Sequence, residues 1–113
     1  FRFRLEDLRG LITPKTRMII LNSPSNPTGS VLSANTIEHL AHVANKNDLW
    51  IITDEIYSRF VYDGDAPSII SFPGMSERTV IADGFSKTFS MTGWRLGYSA
   101  APLNITKAWL AVT

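Results

Sequence analysis

The first half of the chain pairs one short apolar run with two segments of helical spacing. Residues 5–11 have weak helical spacing that ends at Thr13 and Pro14, since the residue before a proline is biased away from helical geometry. Residues 17–22 (Arg-Met-Ile-Ile-Leu-Asn) are a run of strand length, which predicts a buried strand. A second helix is predicted from Ser33, as its N-cap, to about residue 45.

The second half contains the remaining predicted strands. Residues 49–53 (Leu-Trp-Ile-Ile-Thr) are a continuous apolar run ending at Asp54, which is typical of a strand covered on both faces. Residues 79–82 predict a similar strand, residues 94–101 a third, and residues 105–112 a helix that packs back on the sheet. Strands separated by helices predict an α/β fold, here part of a mainly parallel sheet flanked by helices.

Polar residues cluster at or near the ends of the predicted strands. In such a sheet, ligands bind in the crevice at the carboxyl ends of the strands. We therefore expect the side chains of these clusters to converge around one cleft. The clusters are Asn26, Asp54 with Tyr57, Lys87, and Arg95.

Composition and charge narrow the classes of function. Eleven basic and ten acidic residues give a net charge of +1, and no basic stripe is present, so nucleic acid and membrane surfaces are not expected partners. The 44% hydrophobic content is enough for one globular core. The absence of cysteine excludes disulfides and thiolate chemistry within the sequence and is compatible with a reducing cytosol.

Several familiar motifs fail on inspection. A phosphate loop needs glycine directly before its lysine, whereas Ser86 precedes Lys87. A Ser-x-x-Lys pair fails because Gly84 occupies the serine position. His39 and His42 could share a helical face, but no third ligand is suggested. We interpret them as a solvent-facing pair and expect no metal site.

Four motifs remain, and together they carry a resemblance. They are Asn-Pro-Thr-Gly at residues 26–29, Asp-Glu-Ile-Tyr at 54–57, Gly-Phe-Ser-Lys at 84–87 and Gly-Trp-Arg-Leu-Gly-Tyr at 93–98. Over essentially its whole length the chain resembles the aspartate aminotransferase family, the class I/II aminotransferases among the fold type I pyridoxal-phosphate (PLP) enzymes. The resemblance implies PLP as cofactor, amino acid and 2-oxo acid substrates, a role in amino acid metabolism, and a cytoplasmic homodimer.

The resemblance also implies a role for each of five residues. Lys87 would bind PLP as a Schiff base and move the substrate α-proton, as a lysine amine can do. Asp54 would pair with the pyridine nitrogen, while Tyr57 and Asn26 would donate to the oxygen on the ring. Arg95 would bind the phosphate, for which a guanidinium fork is suited.

The chain departs from the family pattern at one position. Members commonly have a hydroxyl three residues before the lysine, where this chain has Gly84. Ser86 is the candidate to replace that contact with the phosphate. Glu55 and Asp83 match no family role and are interpreted as surface or loop polarity. The Asn26-Pro27 peptide bond is expected to be cis, as is common in the family.

The resemblance leaves several alternatives open. Residues 1–113 are expected to form a single partial domain, an internal fragment of the large PLP-binding domain. Such a fragment is expected to be inactive alone. In family members, the arginine that binds the substrate lies outside the segment that matches this chain, and the active site also contains residues of a second subunit. A β-lyase or synthase of the same fold would retain the same residues. A non-catalytic effector-binding domain built on an aminotransferase template is the alternative of another class.

Overall fold

The computed structural model describes residues 4–112, apart from the side chain of Arg9. Within that range the chain forms four strands, three α-helices and two short 3-10 helices. The α-helices are α1 (Leu5–Leu11), α2 (Ala34–Lys46) and α3 (Leu103–Leu110). The strands are β1 (Met18–Asn22), β2 (Trp50–Asp54), β3 (Thr79–Gly84) and β4 (Gly97–Ala100). The 3-10 helices are Ile69–Ser71 and Thr92–Trp94.

The strands form one mixed sheet in the order β1-β2-β3-β4. β1, β2 and β3 are parallel, and β4 is antiparallel to β3. Asn22 at the end of β1 lies opposite Asp54, and Asp54 lies opposite Ala82 of β3. The expected α/β fold with a mainly parallel sheet is confirmed.

Helix α2 covers one face of the sheet and contributes four buried residues to the core cluster. Ser33 is its N-cap, because the Ser33 hydroxyl accepts a hydrogen bond from the Thr36 backbone N–H at 3.2 Å. Side chains three and four residues apart lie on one side of a helix, and those of α2 are buried against alternate residues of β1 and β2. The cluster contains Leu21, Ile37, Leu40, Ala41, Ala44, Leu49 and Ile51.

The connection from β2 to β3 contains no α-helix, in contrast to the connection through α2. It contains turns and the 3-10 helix Ile69–Ser71 instead. Ile69 and Met75 are buried in the same cluster as Leu40, so this connection completes the core on the side of α2. Only isolated apolar residues are buried in this segment, which explains why its sequence shows no helical periodicity.

Among the described residues nothing covers the opposite face of the sheet at β1, although residues 17–22 were predicted to form a buried strand. Successive side chains of a strand point to opposite faces, and Ile20 remains 72% exposed while its neighbour Leu21 is buried. Helix α3 forms two residues earlier than predicted, and it has no buried residue, so the expected packing onto the sheet is not observed. No helix within residues 4–112 is long and apolar enough to cross a membrane.

Strands β3 and β4 differ from their predicted bounds. β3 continues through Asp83 and Gly84, two residues beyond the predicted end. β4 begins at Gly97 instead of residue 94, because the 3-10 helix Thr92–Trp94 and a left-handed Arg95, with φ of 54°, precede it. The backbone therefore turns sharply just before β4.

Truncation of Leu40 tests the core. Leu40→Ala removes a side chain with 0% exposure, so we expect the free energy of unfolding to fall by about 2–5 kcal/mol. Glu38→Ala changes an exposed residue of the same helix and should alter it by no more than about 0.5 kcal/mol. Urea unfolding followed by circular dichroism measures both, and equal effects of the two substitutions would contradict this account of the core.

Candidate active site

The candidate site lies at one edge of the sheet. Parallel strands present their carboxyl ends at the same edge, and three segments leave the sheet there: residues 23–29 after β1, residues 55–60 after β2 and residues 85–90 after β3. Antiparallel β4 begins at this edge, so the residues that precede it lie there too. The topology thus assembles the site from four separate parts of the sequence.

Asn22 attaches the first of these segments to β2. Its amide oxygen accepts a hydrogen bond from the Asn26 backbone N–H at 2.8 Å, and its amide nitrogen donates to the Asp54 carbonyl at 3.4 Å. The expected cis bond at Asn26-Pro27 is confirmed, and Ser23-Pro24 is also cis. Asn22 was interpreted only as a strand end, and its position before the Pro-rich loop was the signal for this role.

Asn26 and Tyr57 are in direct contact. The Asn26 amide nitrogen donates a hydrogen bond to the Tyr57 hydroxyl oxygen at 3.3 Å. Phe60 packs edge-on against Tyr57, with 6.2 Å between the ring centroids and 67° between the ring planes. These residues help to line a cavity of about 240 Å³, together with Pro24, Ser25, Pro27 and Gly29.

Lys87 joins this pair to the turn after β3. Its amine nitrogen lies 5.9 Å from the centroid of the Tyr57 ring, within the range of a cation–π interaction. Two backbone hydrogen bonds hold the turn, from Phe89 N–H to the Phe85 carbonyl and from Ser90 N–H to the Lys87 carbonyl, each 3.2 Å long. A compact turn therefore holds the lysine backbone, while its side chain reaches the aromatic ring.

Lys87, Ser86 and Arg95 line a second, open cleft of about 430 Å³. The Arg95 guanidinium donates to the Thr92 carbonyl at 3.1 Å. Among the residues that the structure describes, neither Lys87 nor Arg95 forms an ion pair. Two cations that form no described ion pair, two residues with hydroxyls (Ser86 and Thr92) and one carboxylate (Asp83) thus line the cleft. The two cations and the hydroxyls are groups that can bind an anion. The other lining residues are Ile56, Asp83, Gly84, Thr92, Leu96 and Gly97.

Asp54 lies next to the cleft without lining it. One of its carboxylate oxygens accepts the Ile56 backbone N–H at 3.1 Å, and Ile56 is a lining residue. Direct contacts therefore connect Asn26, Tyr57 and Lys87, and the cleft connects Lys87 with Ser86 and Arg95. The half-buried Asp54 belongs to the same edge of the sheet but touches none of the other five through a side-chain hydrogen bond.

Gly84 lies where β3 and β4 approach each other closely. A Cβ atom at this position would lie 3.1 Å from the Leu96 carbonyl oxygen and 3.2 Å from the Gly97 Cα. A side chain here would require the backbone of β4 to shift. Residue 84 supplies no hydroxyl to the cleft, and the residues with hydroxyls that line it are Ser86 and Thr92.

The interpretation of Asp83 as surface or loop polarity is wrong. Asp83 is a half-buried residue of β3. Its carboxylate accepts a hydrogen bond from the Gly84 backbone N–H and another from the Tyr98 hydroxyl, each 2.6 Å long. Glu55 is not free polarity either, because it accepts the Ser68 hydroxyl at 2.6 Å. Sequence reasoning missed the Asp83–Tyr98 contact because it depends on the pairing of β3 with β4.

The comparison with protein families identifies the chain. The sequence model described as "Aminotransferase class I and II" matches residues 1–112. This chain belongs to the class I and II aminotransferase family. The motifs at residues 26–29, 54–57 and 84–87 therefore lie in an aminotransferase sequence, and the lysine-bearing turn follows a strand of an aminotransferase fold.

Individual aminotransferases show the same similarity. The chain is 53% identical over 103 residues to aromatic-amino-acid aminotransferase 2 of Thermococcus litoralis, covering 90% of this chain and 26% of that protein. It is 52% identical over 103 residues to an aspartate aminotransferase of Pyrococcus abyssi, with the same coverage of 90% and 26%. The chain thus spans about a quarter of the length of these relatives.

A solved aminotransferase structure confirms the fold. The crystal structure of the aromatic aminotransferase from Pyrococcus horikoshii superimposes with a TM-score of 0.87 at 50% sequence identity. The match covers 90% of this chain and 28% of that one. The sheet and its connections in this aminotransferase chain therefore follow a known arrangement closely.

One titrating group stands out in this aminotransferase chain. The hydrogen bond from Tyr98 to Asp83 raises the pKa of the Tyr98 phenol above its ordinary value, and the negative charge of Asp83 acts in the same direction. The bond requires the protonated phenol. Its stabilising contribution is therefore complete below the ordinary phenol pKa and is lost as the pH rises through the raised folded-state pKa.

Replacement of Asp83 should lower the pKa of Tyr98. Asp83→Asn removes the charged acceptor, so the Tyr98 phenol should ionise at a lower pH than in the unaltered protein. Alkaline difference spectra of tyrosinate, taken between proteins with Tyr98 and with Tyr98→Phe, isolate its titration. An unchanged or higher midpoint in Asp83→Asn would show that the carboxylate does not control this phenol.

Proposed function

We propose that this chain is part of the PLP-binding domain of an aminotransferase that transfers an amino group between an amino acid and a 2-oxo acid. The position of Lys87 carries this proposal. Its amine lies 5.9 Å from the centroid of the Tyr57 ring, and the residue lines a cleft together with Arg95. Within the described residues no carboxylate pairs with it. The chain belongs to the aminotransferase family, which supports a role for this lysine in binding PLP.

The residues present are suited to a phosphorylated cofactor. The cleft of about 430 Å³ falls within the range of about 300–1,000 Å³ that is usual for small-molecule sites. Arg95 can present two parallel donors to phosphate oxygens, and the Ser86 hydroxyl can donate a third. PLP, when bound, supplies an electron sink for the negative charge that develops when the substrate α-proton leaves.

Lys87 has the two roles that need an amine. It is the proposed point of covalent attachment for the cofactor and, once displaced by the substrate amine, the base that moves the α-proton. A flexible four-carbon side chain on a hydrogen-bonded turn suits both roles, because the backbone stays in place while the amine moves.

Asp54, Asn26 and Tyr57 are the proposed partners of the cofactor ring. One carboxylate oxygen of Asp54 accepts the Ile56 N–H, and the other has no hydrogen-bond partner among the described residues. That second oxygen is proposed to hold the pyridine nitrogen protonated, because a nearby negative charge favours the charged form of the ring. The Asn26 amide and the Tyr57 hydroxyl, already hydrogen-bonded to each other, are proposed to donate to the ring oxygen.

The choice of substrate, the assembly and the location are parts of the same proposal. The relatives include an aromatic-amino-acid aminotransferase and an aspartate aminotransferase, so an amino acid is proposed as the substrate class without a choice between the two. A cytoplasmic homodimer is proposed from the family resemblance. Light scattering of the parent protein, meaning the longer aminotransferase proposed to contain this chain, tests the dimer.

Covalent capture tests the role of Lys87. The parent protein is mixed with PLP, reduced with borohydride and digested, and mass spectrometry should find the modification on Lys87. Lys87→Ala should abolish it, because no other amine is placed at the cleft among the described residues. Lys46→Ala, which changes an exposed lysine of α2, should leave it intact. A modification that persists undiminished in Lys87→Ala would refute the assignment.

The role of Arg95 is tested by comparing PLP with pyridoxal, which lacks the phosphate. Arg95→Ala should weaken capture of PLP about ten- to a hundredfold, as expected when a charged hydrogen-bond partner is lost. Capture of pyridoxal should not change. Arg17→Ala alters an exposed arginine that precedes β1 and should affect neither compound. Equal losses for PLP and pyridoxal in Arg95→Ala would exclude Arg95 as the phosphate ligand.

A further inference from the structure

One polar side chain contacts two of the segments that form the candidate site. Asn22 ends β1 and lies directly opposite Asp54, the last residue of β2. Its amide oxygen accepts the Asn26 backbone N–H at 2.8 Å, and its amide nitrogen donates to the Asp54 backbone carbonyl at 3.4 Å. The half-buried Asn22 therefore joins the loop after β1 to the carboxyl end of β2.

Several other hydrogen bonds of this loop connect the loop with itself. The Leu32 N–H donates to the Ser23 hydroxyl at 3.0 Å, and the Ser25 N–H donates to the Ser30 carbonyl at 2.9 Å. Such bonds define the shape of residues 23–32. The Asn22 side chain, in contrast, links that loop to a neighbouring strand.

The two residues that Asn22 contacts have proposed partners on one ring. In the proposed function, Asp54 pairs with the pyridine nitrogen of PLP, and Asn26 donates to the ring oxygen together with Tyr57. An aromatic ring is rigid, so the distance between its nitrogen and its ring oxygen cannot adjust to the protein. Residues that bind both atoms have to be placed to within about 0.5 Å, which requires supporting hydrogen bonds.

The chemistry of an asparagine side chain suits this support. Its oxygen accepts and its nitrogen donates, so one residue can make both contacts at once. Both contacts are made to backbone atoms, and neither uses the Asn26 amide group or the Asp54 carboxylate that the ring would need. All three residues lie in the described chain, and neither contact requires an open surface.

We propose that the Asn22 side chain is a positioning group that sets the spacing between Asn26, the donor to the ring oxygen, and Asp54, the partner of the ring nitrogen. This inference rests on the proposed function, in which the ring belongs to PLP. Asn22 need not touch the ligand. Its effect reaches the ring oxygen through Asn26, whose amide nitrogen also donates to the Tyr57 hydroxyl at 3.3 Å.

Hydrogen exchange in the ligand-free parent protein tests the contact itself. Asn22→Ala removes the acceptor of the Asn26 N–H, which should exchange about two- to tenfold faster, the scale of one hydrogen bond. Asn45→Ala is the matched control, because Asn45 donates to the Pro73 carbonyl at 3.0 Å from the end of α2, before β2 begins. It loses the same group and should leave exchange at Asn26 unchanged. Mass spectrometry of peptide fragments measures both.

The pH dependence of absorbance of PLP bound to Lys87 tests the positioning role. A donor stabilises negative charge on the ring oxygen, and with a weaker donor that oxygen holds the proton of the adjacent Schiff-base nitrogen more tightly. Asn22→Ala should therefore raise the midpoint by about 0.5–1 pH unit, part of the roughly 1–2 units that one hydrogen bond to a charged group is worth. Asn45→Ala should not shift it. Both variants retain the charged and titratable groups near the site, which are Asp54, Tyr57, Asp83 and Arg95.

A double variant shows whether Asn22 acts through Asn26. Asn26→Ala removes the proposed donor and should raise the midpoint by itself. Added to Asn26→Ala, Asn22→Ala should give less than about half of the shift that it gives alone, because two changes in one path are not additive. Full additivity would overturn the proposal, since Asn22 would then act on the ring by another route.

The remaining outcomes separate this inference from the function on which it rests. If Asn22→Ala exchanges faster at Asn26 but keeps the midpoint of the unaltered protein, the contact exists and the positioning role is wrong. Asn22→Leu, of similar volume, should give the same shift as Asn22→Ala, and failure of both to fold, judged by circular dichroism, would show a structural role instead. If unaltered protein binds no PLP on Lys87, the proposed function fails and the positioning role fails with it, whatever the exchange result.

Discussion

Parallel pairing of β1, β2 and β3 is the constraint on which the rest of the site depends. The pairing places Asn22 beside Asp54 and Asp54 beside Ala82, so the segments that follow these strands leave the sheet at one edge. α2 stabilises the arrangement from a single face through Leu40 and its neighbours. Without that fixed edge, Asn26, Tyr57 and Lys87 would be distant polar residues in three unrelated loops.

Charge is distributed unevenly around this edge. Lys87 and Arg95 share a cleft and form no ion pair with a described residue, and two like charges brought together favour an anionic ligand. Asp83 is a nearby carboxylate, but the Gly84 N–H and the Tyr98 hydroxyl occupy both of its oxygens. The Asp83 carboxylate is therefore hydrogen-bonded to the backbone and to β4, and it forms no ion pair with Lys87 or Arg95.

Strands β3 and β4 are joined by a close backbone contact at Gly84 and by a hydrogen bond between Tyr98 and Asp83. Gly84 permits the close approach of the strands, because a Cβ there would meet the Leu96 carbonyl at 3.1 Å. At the neighbouring pair, the Tyr98 hydroxyl donates a 2.6 Å hydrogen bond to the Asp83 carboxylate across the two strands. Residue 84 is also the position at which the chain departs from the family pattern, where a hydroxyl is commonly found.

The sequence by itself determined most of the helices and strands and the protein family. The apolar runs of β1 and β2, the Ser33 cap and the helical spacing of α2 depend on neighbouring residues, and each was predicted to within a residue or two. The motifs around Asn26, Asp54 and Lys87 carried the resemblance to the family to which the chain belongs. Tertiary structure alone decided the Asp83–Tyr98 bridge, the Asn22 contacts and the open face at Ile20. Each of these depends on which strands pair, in which direction and register, and that information belongs to residues far apart in the chain.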